Sequence, residues 1–431
     1  MRTCVRPWND PLDAIVTTIS SACGFDFGTS NSAIGLAAKS RPSLISLQDD
    51  RVSIPTAVFF SFEDSSVTFG REAVSRYLHR ENGRLLRSLK SLLGSTLIHE
   101  QTQLGKKRLG FDEIISLFLS CVRNAAGGPT SVVMGRPVHF VDDDEKADQS
   151  AEDQLRHAAH VAGFEHVEFQ LEPIAAALDY ERQVGAEELA FIVDIGGGTS
   201  DFSIVRVSPD RRGRPDRKSD ILACSGIHIG GTDFDRRLEL NVVLPHLGLG
   251  AKLRHKNMET PVWWYQDLAT WQRINFLYDQ KVFTEIRRVR RDMFEPEKLD
   301  RLLEVLENRN GHALLTAVED SKIQLTTASR VTTDLHKLVG IEPIHMTRKQ
   351  FEDAVADQIA KINATIRTTL SQSNVSADAI GSVFLTGGSS RLPMLLPTLR
   401  EVFTKARLLE GDAFGSVAKG LALDAHTRFH A

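Results

Sequence analysis

Two stretches of this 431-residue chain carry the same reactive residue types in the same order. Around Asp26 an apolar run ends in D-F-G-T-S-N-S and a second apolar run, AIGLA, follows; around Asp194 the run LAFIV ends in D-I-G-G-G-T-S-D and continues as FSIVRV. Each reads as an Asp-x-Gly turn between two strands. Glycine reaches backbone conformations that other residues resist, so a turn containing Gly28, or Gly196, Gly197 and Gly198, can aim several N–H groups at one point and cradle phosphate oxygens. Thr29, Ser30 and Thr199 add hydroxyl donors at the same turns, and Asp26 and Asp194 stand at strand ends, where carboxylates can hold Mg2+ through its water shell. A single glycine turn marks little more than a bend. Two that match, with a third at Gly387-Gly388-Ser389-Ser390 after the strand VFLT, point to a polyphosphate clamped between two lobes.

The elements that must position these residues follow from the echo. Its two copies lie 168 residues apart, the size of a whole domain, which indicates duplicated α/β lobes rather than a solenoid repeat. The expected organisation is an N-terminal extension over 1–20, lobe I over 21–188 completed by a C-terminal helix at about 405–431, and lobe II over 189–404. A helical subdomain, rich in charge, is expected as an insertion at about 236–330. Strands are expected at Ser53–Phe62 and Ser131–Val138, helices at Asp112–Val122 and Asp148–Ala162, and a helix containing Pro393 after the third turn. The basic run at 206–218 reads as a solvated hairpin loop, and Trp263, Trp264 and Trp271 as core.

Composition narrows the class. Lys+Arg 52 against Asp+Glu 56 gives a net charge of −4, which argues against a dedicated nucleic-acid binder. Four scattered cysteines without CxxC spacing read as free thiols of a reducing compartment, and no apolar run approaches a membrane span, so the cytoplasm is the expected location. P-loop, dinucleotide-binding and protein-kinase motifs are absent from the sequence. His157 and His160 share a helix face without a third ligand and read as solvated.

The stretches GFDFGTSNSAIGLA, SLKSLLG, FQLEPIAAALDY, FIVDIGGGTSDFSIV, GIHIGGTDFDRRL, AVEDSKIQL, FLTGGSSRLP and FGSVAKGLAL together resemble the ATPase domain of the seventy-kilodalton heat-shock proteins (DnaK-type chaperones), and their short YegD-like branch. The resemblance covers about Ala22 to Ala425 and implies the two-lobed actin/sugar-kinase/heat-shock ATPase fold, with duplicated ribonuclease-H-like lobes. It implies ATP/ADP and Mg2+ as cofactors, K+ at Asp26 and Asp201, and slow ATP hydrolysis. Lys90 matches the lysine that reaches the γ-phosphate and attacking water, Glu172 the acid that places water and metal shell, and Asp194 the position nearest to a general base, with Thr199 beside it. Gly230 and Gly231 match the nucleotide cleft, Glu319 and Lys322 the surroundings of the ribose, and Gly387, Gly388, Ser389 and Arg391 the adenosine pocket. Asp26, Asp194 and Asp201 form the implied metal set.

Departures accompany the match. Ile323 stands where the family usually has an arginine stacking on adenine, and GRPVHFVDDDEK replaces a shorter segment after strand Ser131–Val138. No peptide-binding domain is expected within these residues, so the expected function is an ATP-hydrolysing, chaperone-like nucleotide switch. Its implied protein partner is a co-chaperone, an exchange factor or a client, with no membrane. A nucleotide-sensing pseudo-ATPase, an actin-like filament protein and a small-molecule kinase stand as rival readings.

Overall fold

The computed structural model describes residues 6–7, 22–37, 42–79, 81–104, 107–214, 217–254, 258–412 and 415–429; apart from 6–7, the extension expected over 1–20 lies outside them. The chain divides into two compact units, Met1–Gly231 with Lys361–Ala431, and Thr232–Ala360.

The first unit contains two sheets of like design. One joins β1 (Ala22–Phe27), β2 (Asn31–Leu36), β3 (Ser43–Leu44), β4 (Ser131–Arg136) and β5 (His166–Leu171) in the order β5-β4-β1-β2-β3. The other joins β6 (Glu188–Ile195), β7 (Ser200–Val207), β8 (Ile221–Ile227), β9 (Ile380–Thr386) and β10 (Arg407–Glu410) in the order β10-β9-β6-β7-β8. In the first sheet β1 pairs antiparallel with β2 and parallel with β4, β2 antiparallel with β3, and β4 parallel with β5. In the second, β6, β7, β8, β9 and β10 repeat those senses position for position. The α/β class with duplicated sheets is thus the fold of this chain.

The strand sequences explain the layering. Side chains alternate across a strand, so Cys23, Phe25 and Phe27 of β1 enter one core with Val132, Met134, Phe118 and Leu155, while Ala22 enters another with Val133. The first core lies under α1 (Phe111–Ala125) and α2 (Glu145–Val161). The second holds Ile174–Ala177 of α3 (Glu172–Glu181) and Val417, Leu421 and Ala425 of α4 (Ser416–Phe429), together with Ala190, Ile192, Val205 and Val207 of the other sheet. Helices α3 and α4 therefore fill the layer between the sheets. Small residues allow this: a Cβ on Gly420 would collide with the Ala175 backbone, and one on Gly24 with Leu421 and Ala422.

Several expected elements need correction. The strand at Ser53–Phe62 is two strands, Ser53–Pro55 and Ala57–Ser61, which join different sheets on either side of Thr56. The strand from Ser131 stops at Arg136, before Pro137. After the third turn the helix begins only at Leu396, so Pro393 precedes it and Pro397 occupies its first turn. The basic run at 206–218 is not simply solvated. Arg212 donates to the carbonyls of Glu181, Arg182 and Val184 at the end of α3, and Arg217 pairs with buried Glu181 at 2.7 Å and with Asp220 at 2.5 Å. Arginines thereby cap the carbonyl end of a buried helix, where positive charge is favourable.

The second unit is chiefly helical, with helices Val262–Leu268, Gln280–Arg290, Pro296–Glu307 and Gly311–Leu325 and an antiparallel ribbon of Arg330–Thr333 with Ile344–Thr347. Trp264 and Trp271 are core, whereas Trp263 is 41% exposed. No described helix is long and apolar enough to cross a membrane.

Candidate functional site

Strand parity places the two aspartates. Asp26 shares its face of β1 with Gly24, which touches α4, and Asp194 shares its face of β6 with Ala190 and Ile192 of the inter-sheet core. Both carboxylates thus look towards the layer between the sheets. The hairpins have equal registers: Asp26 opposes Ala33, and Asp194 opposes Asp201 at the same spacing.

The two glycine turns meet. A Cβ on Gly197 would collide with Ser30, and one on Gly198 would lie 2.7 Å from the Thr29 hydroxyl. Gly230 packs against the backbone of Gly197 and Gly198, while the Gly231 N–H donates to the Gly196 carbonyl at 3.0 Å. Within the second turn the Gly196 N–H donates to the Thr199 carbonyl at 3.0 Å. The third turn leans on the same place. Gly387 adopts φ 78°, the left-handed region glycine tolerates, and the Ser389 N–H donates to the Ile195 carbonyl at 3.0 Å. Gly388 follows in that turn, whereas Arg391 faces solvent and pairs with Glu410 at 3.4 Å.

Lys90 and Glu172 come to the site from separate elements. Lys90 lies on a single 3-10 turn, Leu89–Leu92, and Glu172 opens α3; the two are buried and ion-paired. Beside them stand Asp26, Asp194 and Asp201. Burial, then the Glu172 carboxylate, pushes Asp26 up to about 7, with Lys90 opposing. The same two causes push Asp201 up to about 7, against the Val138 N–H that donates to it at 2.7 Å. Asp194 is raised well above the carboxylate range by burial, then by Glu172, Asp201 and Asp26. Burial alone would lower Lys90, but Glu172, Asp26 and Asp201 outweigh it and hold the ammonium above its ordinary value. Four acids crowded around one lysine raise one another's affinity for a proton, and a cation placed among them would take the proton's place. Among the described residues no three His, Cys, Asp or Glu side chains are set to ligate one metal ion directly. The donor set therefore fits a hydrated Mg2+, held through its waters, better than a bare ion.

Glu319 and Lys322 belong to the second unit, on helix Gly311–Leu325, where Lys322 pairs with Asp235 at 2.8 Å. Ile323 on that helix is 55% exposed. His160 binds the Phe164 carbonyl, in keeping with a structural role.

One residue of the site escaped the sequence. The Thr56 hydroxyl donates to the Gly28 carbonyl at 2.7 Å and meets Ser32 Oγ at 2.8 Å, while its N–H donates to the Ser30 carbonyl at 2.9 Å. Thr56 is fully buried and pins the first turn at both ends, yet a lone threonine after Pro55 carries no motif.

Comparison of the sequence with known proteins identifies its relatives. The family described as Hsp70 protein matches residues 120–246 and 288–428. The chaperone protein DnaK of Trichormus variabilis is 25% identical over 411 residues, covering 88% of this chain and 50% of that protein. DnaK of Thermosipho melanesiensis is also 25% identical, over 93% of this chain and 58% of its own. The chaperone protein HscA of Escherichia coli O17:K52:H18 is 25% identical over 429 residues, 94% of this chain and 58% of HscA. The chain spans about half the length of the curated relatives it matches. With a family match over more than half of its residues and paired glycine turns on twin sheets, this chain belongs to the Hsp70 protein family.

Proposed function

We propose that this chain binds ATP with Mg2+ and slowly hydrolyses its γ-phosphate, as the nucleotide switch of a chaperone-type system. The observation that carries the reading is the apposition of Ser30 and Thr29 with Gly197 and Gly198, beside the buried Lys90–Glu172 pair. Backbone N–H groups of the two turns, with the Thr29, Ser30 and Thr199 hydroxyls, would hold the phosphate chain. Asp26, Asp194 and Asp201 would hold the metal through its water shell, and Mg2+ there would supply charge neutralisation on the phosphate oxygens. K+ at Asp26 and Asp201 would offset the remaining carboxylate charge.

In hydrolysis, a water oxygen bonds to the γ-phosphorus while the bond to the β–γ bridging oxygen breaks. Lys90 puts a fixed cation against the charge that develops on the transferring group, without reorganising at the moment of reaction. Glu172 orients Lys90 and the water. Asp194, ionised once the cations are in place, would accept the water's proton. Gly230, Gly231, Gly387, Gly388, Ser389 and Arg391 would line the nucleoside side. The two sheets would act as lobes I and II, whose closure a co-chaperone, exchange factor or client reads, in the cytoplasm.

Single-turnover hydrolysis of Mg·ATP, with and without potassium, tests this on the unaltered protein and Lys90→Ala. The expected outcome is slow turnover by the unaltered protein, reduced at least about 100-fold by the substitution while nucleotide affinity is kept. Tight binding with no turnover in either protein would leave a nucleotide-sensing scaffold instead.

A further inference from the structure

The segment after β4 crosses from the first sheet to the second and is fastened along its length. The Arg136 guanidinium pairs with Asp148 at 2.7 Å and Glu152 at 2.5 Å on α2, and donates back to the Pro137 carbonyl at 3.1 Å. The Val138 N–H donates to Asp201 at 2.7 Å, the Phe140 N–H to Asp148 at 2.5 Å, and Asp142 accepts from the His228 N–H at 2.8 Å. Between these fixings lies Phe140, 5% exposed, with two cations against its ring. The Arg136 guanidinium carbon is 5.2 Å from the ring centroid and Lys90 Nζ is 5.9 Å from it.

We propose that Phe140 is a positioning residue for Lys90: its ring, clamped by Arg136 and the segment's backbone bonds, holds the Lys90 ammonium in place by a cation–π contact. The inference rests on the proposed role of Lys90 in hydrolysis. Glu172 binds the Lys90 ammonium from one direction, and the Phe140 ring gives it a second point of contact. The ring's negative face supplies a second point of attraction where burial removes competing water. It neither accepts the lysine's proton nor competes with an anion for its charge, so the ammonium remains available to a phosphate oxygen.

The test compares Phe140→Leu and Phe140→Tyr with the unaltered protein and Lys90→Ala, in single-turnover Mg·ATP hydrolysis and in nucleotide affinity. Leucine keeps most of the apolar bulk without the π-face; tyrosine keeps the π-face. The expected result is about a 10-fold slower turnover for Phe140→Leu, affinity within about two-fold of the unaltered protein, and turnover restored in Phe140→Tyr. Equal turnover in Phe140→Leu and the unaltered protein overturns the inference, as does a slowing that tyrosine matches rather than rescues. If Phe140→Leu melts earlier, the comparison is made below both melting transitions, where the tyrosine rescue still separates positioning from packing. Unchanged turnover in Lys90→Ala is a different failure, that of the hydrolytic reading itself.

Discussion

Glu239 lies fully buried in the second unit, within a π-helical turn at Glu239–Val243, and neither carboxylate oxygen meets a hydrogen-bond partner among the described residues. Burial, then the Asp235 carboxylate one turn earlier, raises it well above the carboxylate range. Its folded form therefore keeps a proton that the unfolded chain releases above about pH 4.3. The folded state binds more protons in that window, so stability falls as pH rises through it. Glu239→Gln should be close to neutral at pH 4 and stabilising by roughly 1 kcal/mol or more at pH 8, read from denaturant melts at both pH values. Thr56→Val should cost about 1–3 kcal/mol, because the Gly28 carbonyl and Ser32 hydroxyl lose a buried partner. It should also weaken nucleotide binding, measured by titration, if the first turn cradles phosphate. These residues differ in how visible they were. Asp26, Gly28 and Thr29 could be read because their chemistry is contiguous, whereas Thr56 acts across 28 positions. The Val138 N–H on Asp201 is a backbone group that every residue but proline carries.

At the level of elements, α3 and α4 touch through glycine and alanine. A methyl on Gly420 has no space beside the Ala175 carbonyl, so Gly420→Ala should separate the helices and cost about 1–3 kcal/mol, seen as a lower melting midpoint. Strand runs and glycine turns were legible because alternation and turn chemistry are local properties. The early end of the strand at Arg136 and the delayed helix at Leu396 were not. Both depend on where the chain must go next: one segment crosses to Asp201, the other stays folded against Ile195. The basic run at 206–218 misled because charge predicts solvation only when no buried carbonyl end or carboxylate is near. Arg217→Ala should leave Glu181 buried without its bidentate partner and cost about 3–5 kcal/mol, again by thermal melting.

For the whole molecule, the twin sheets make a ligand between the turns a bridge from one half of the first unit to the other. Mg·ATP at 100 times its dissociation constant should stabilise the protein by about 2.7 kcal/mol, measured as a shift in the denaturant midpoint. Ser30→Leu, which obstructs the approach of Gly197, should abolish the shift. The echo between Asp26 and Asp194 revealed this duplication because it repeats residue types. The sequence suggested an insertion at about 236–330, whereas the second compact unit is Thr232–Ala360, since a compact boundary depends on contacts rather than motifs.

The contact of Gly24 with Leu421 and Ala422 also sets a timetable for synthesis. The Ala22–Gly24 face of β1 leaves the ribosome about 400 residues before α4, the helix that covers it. At ~5–20 residues per second that interval is roughly 20–80 s. Until then the nascent chain presents the inter-sheet layer unsealed, so a member of the Hsp70 family is, while being made, itself in need of shelter.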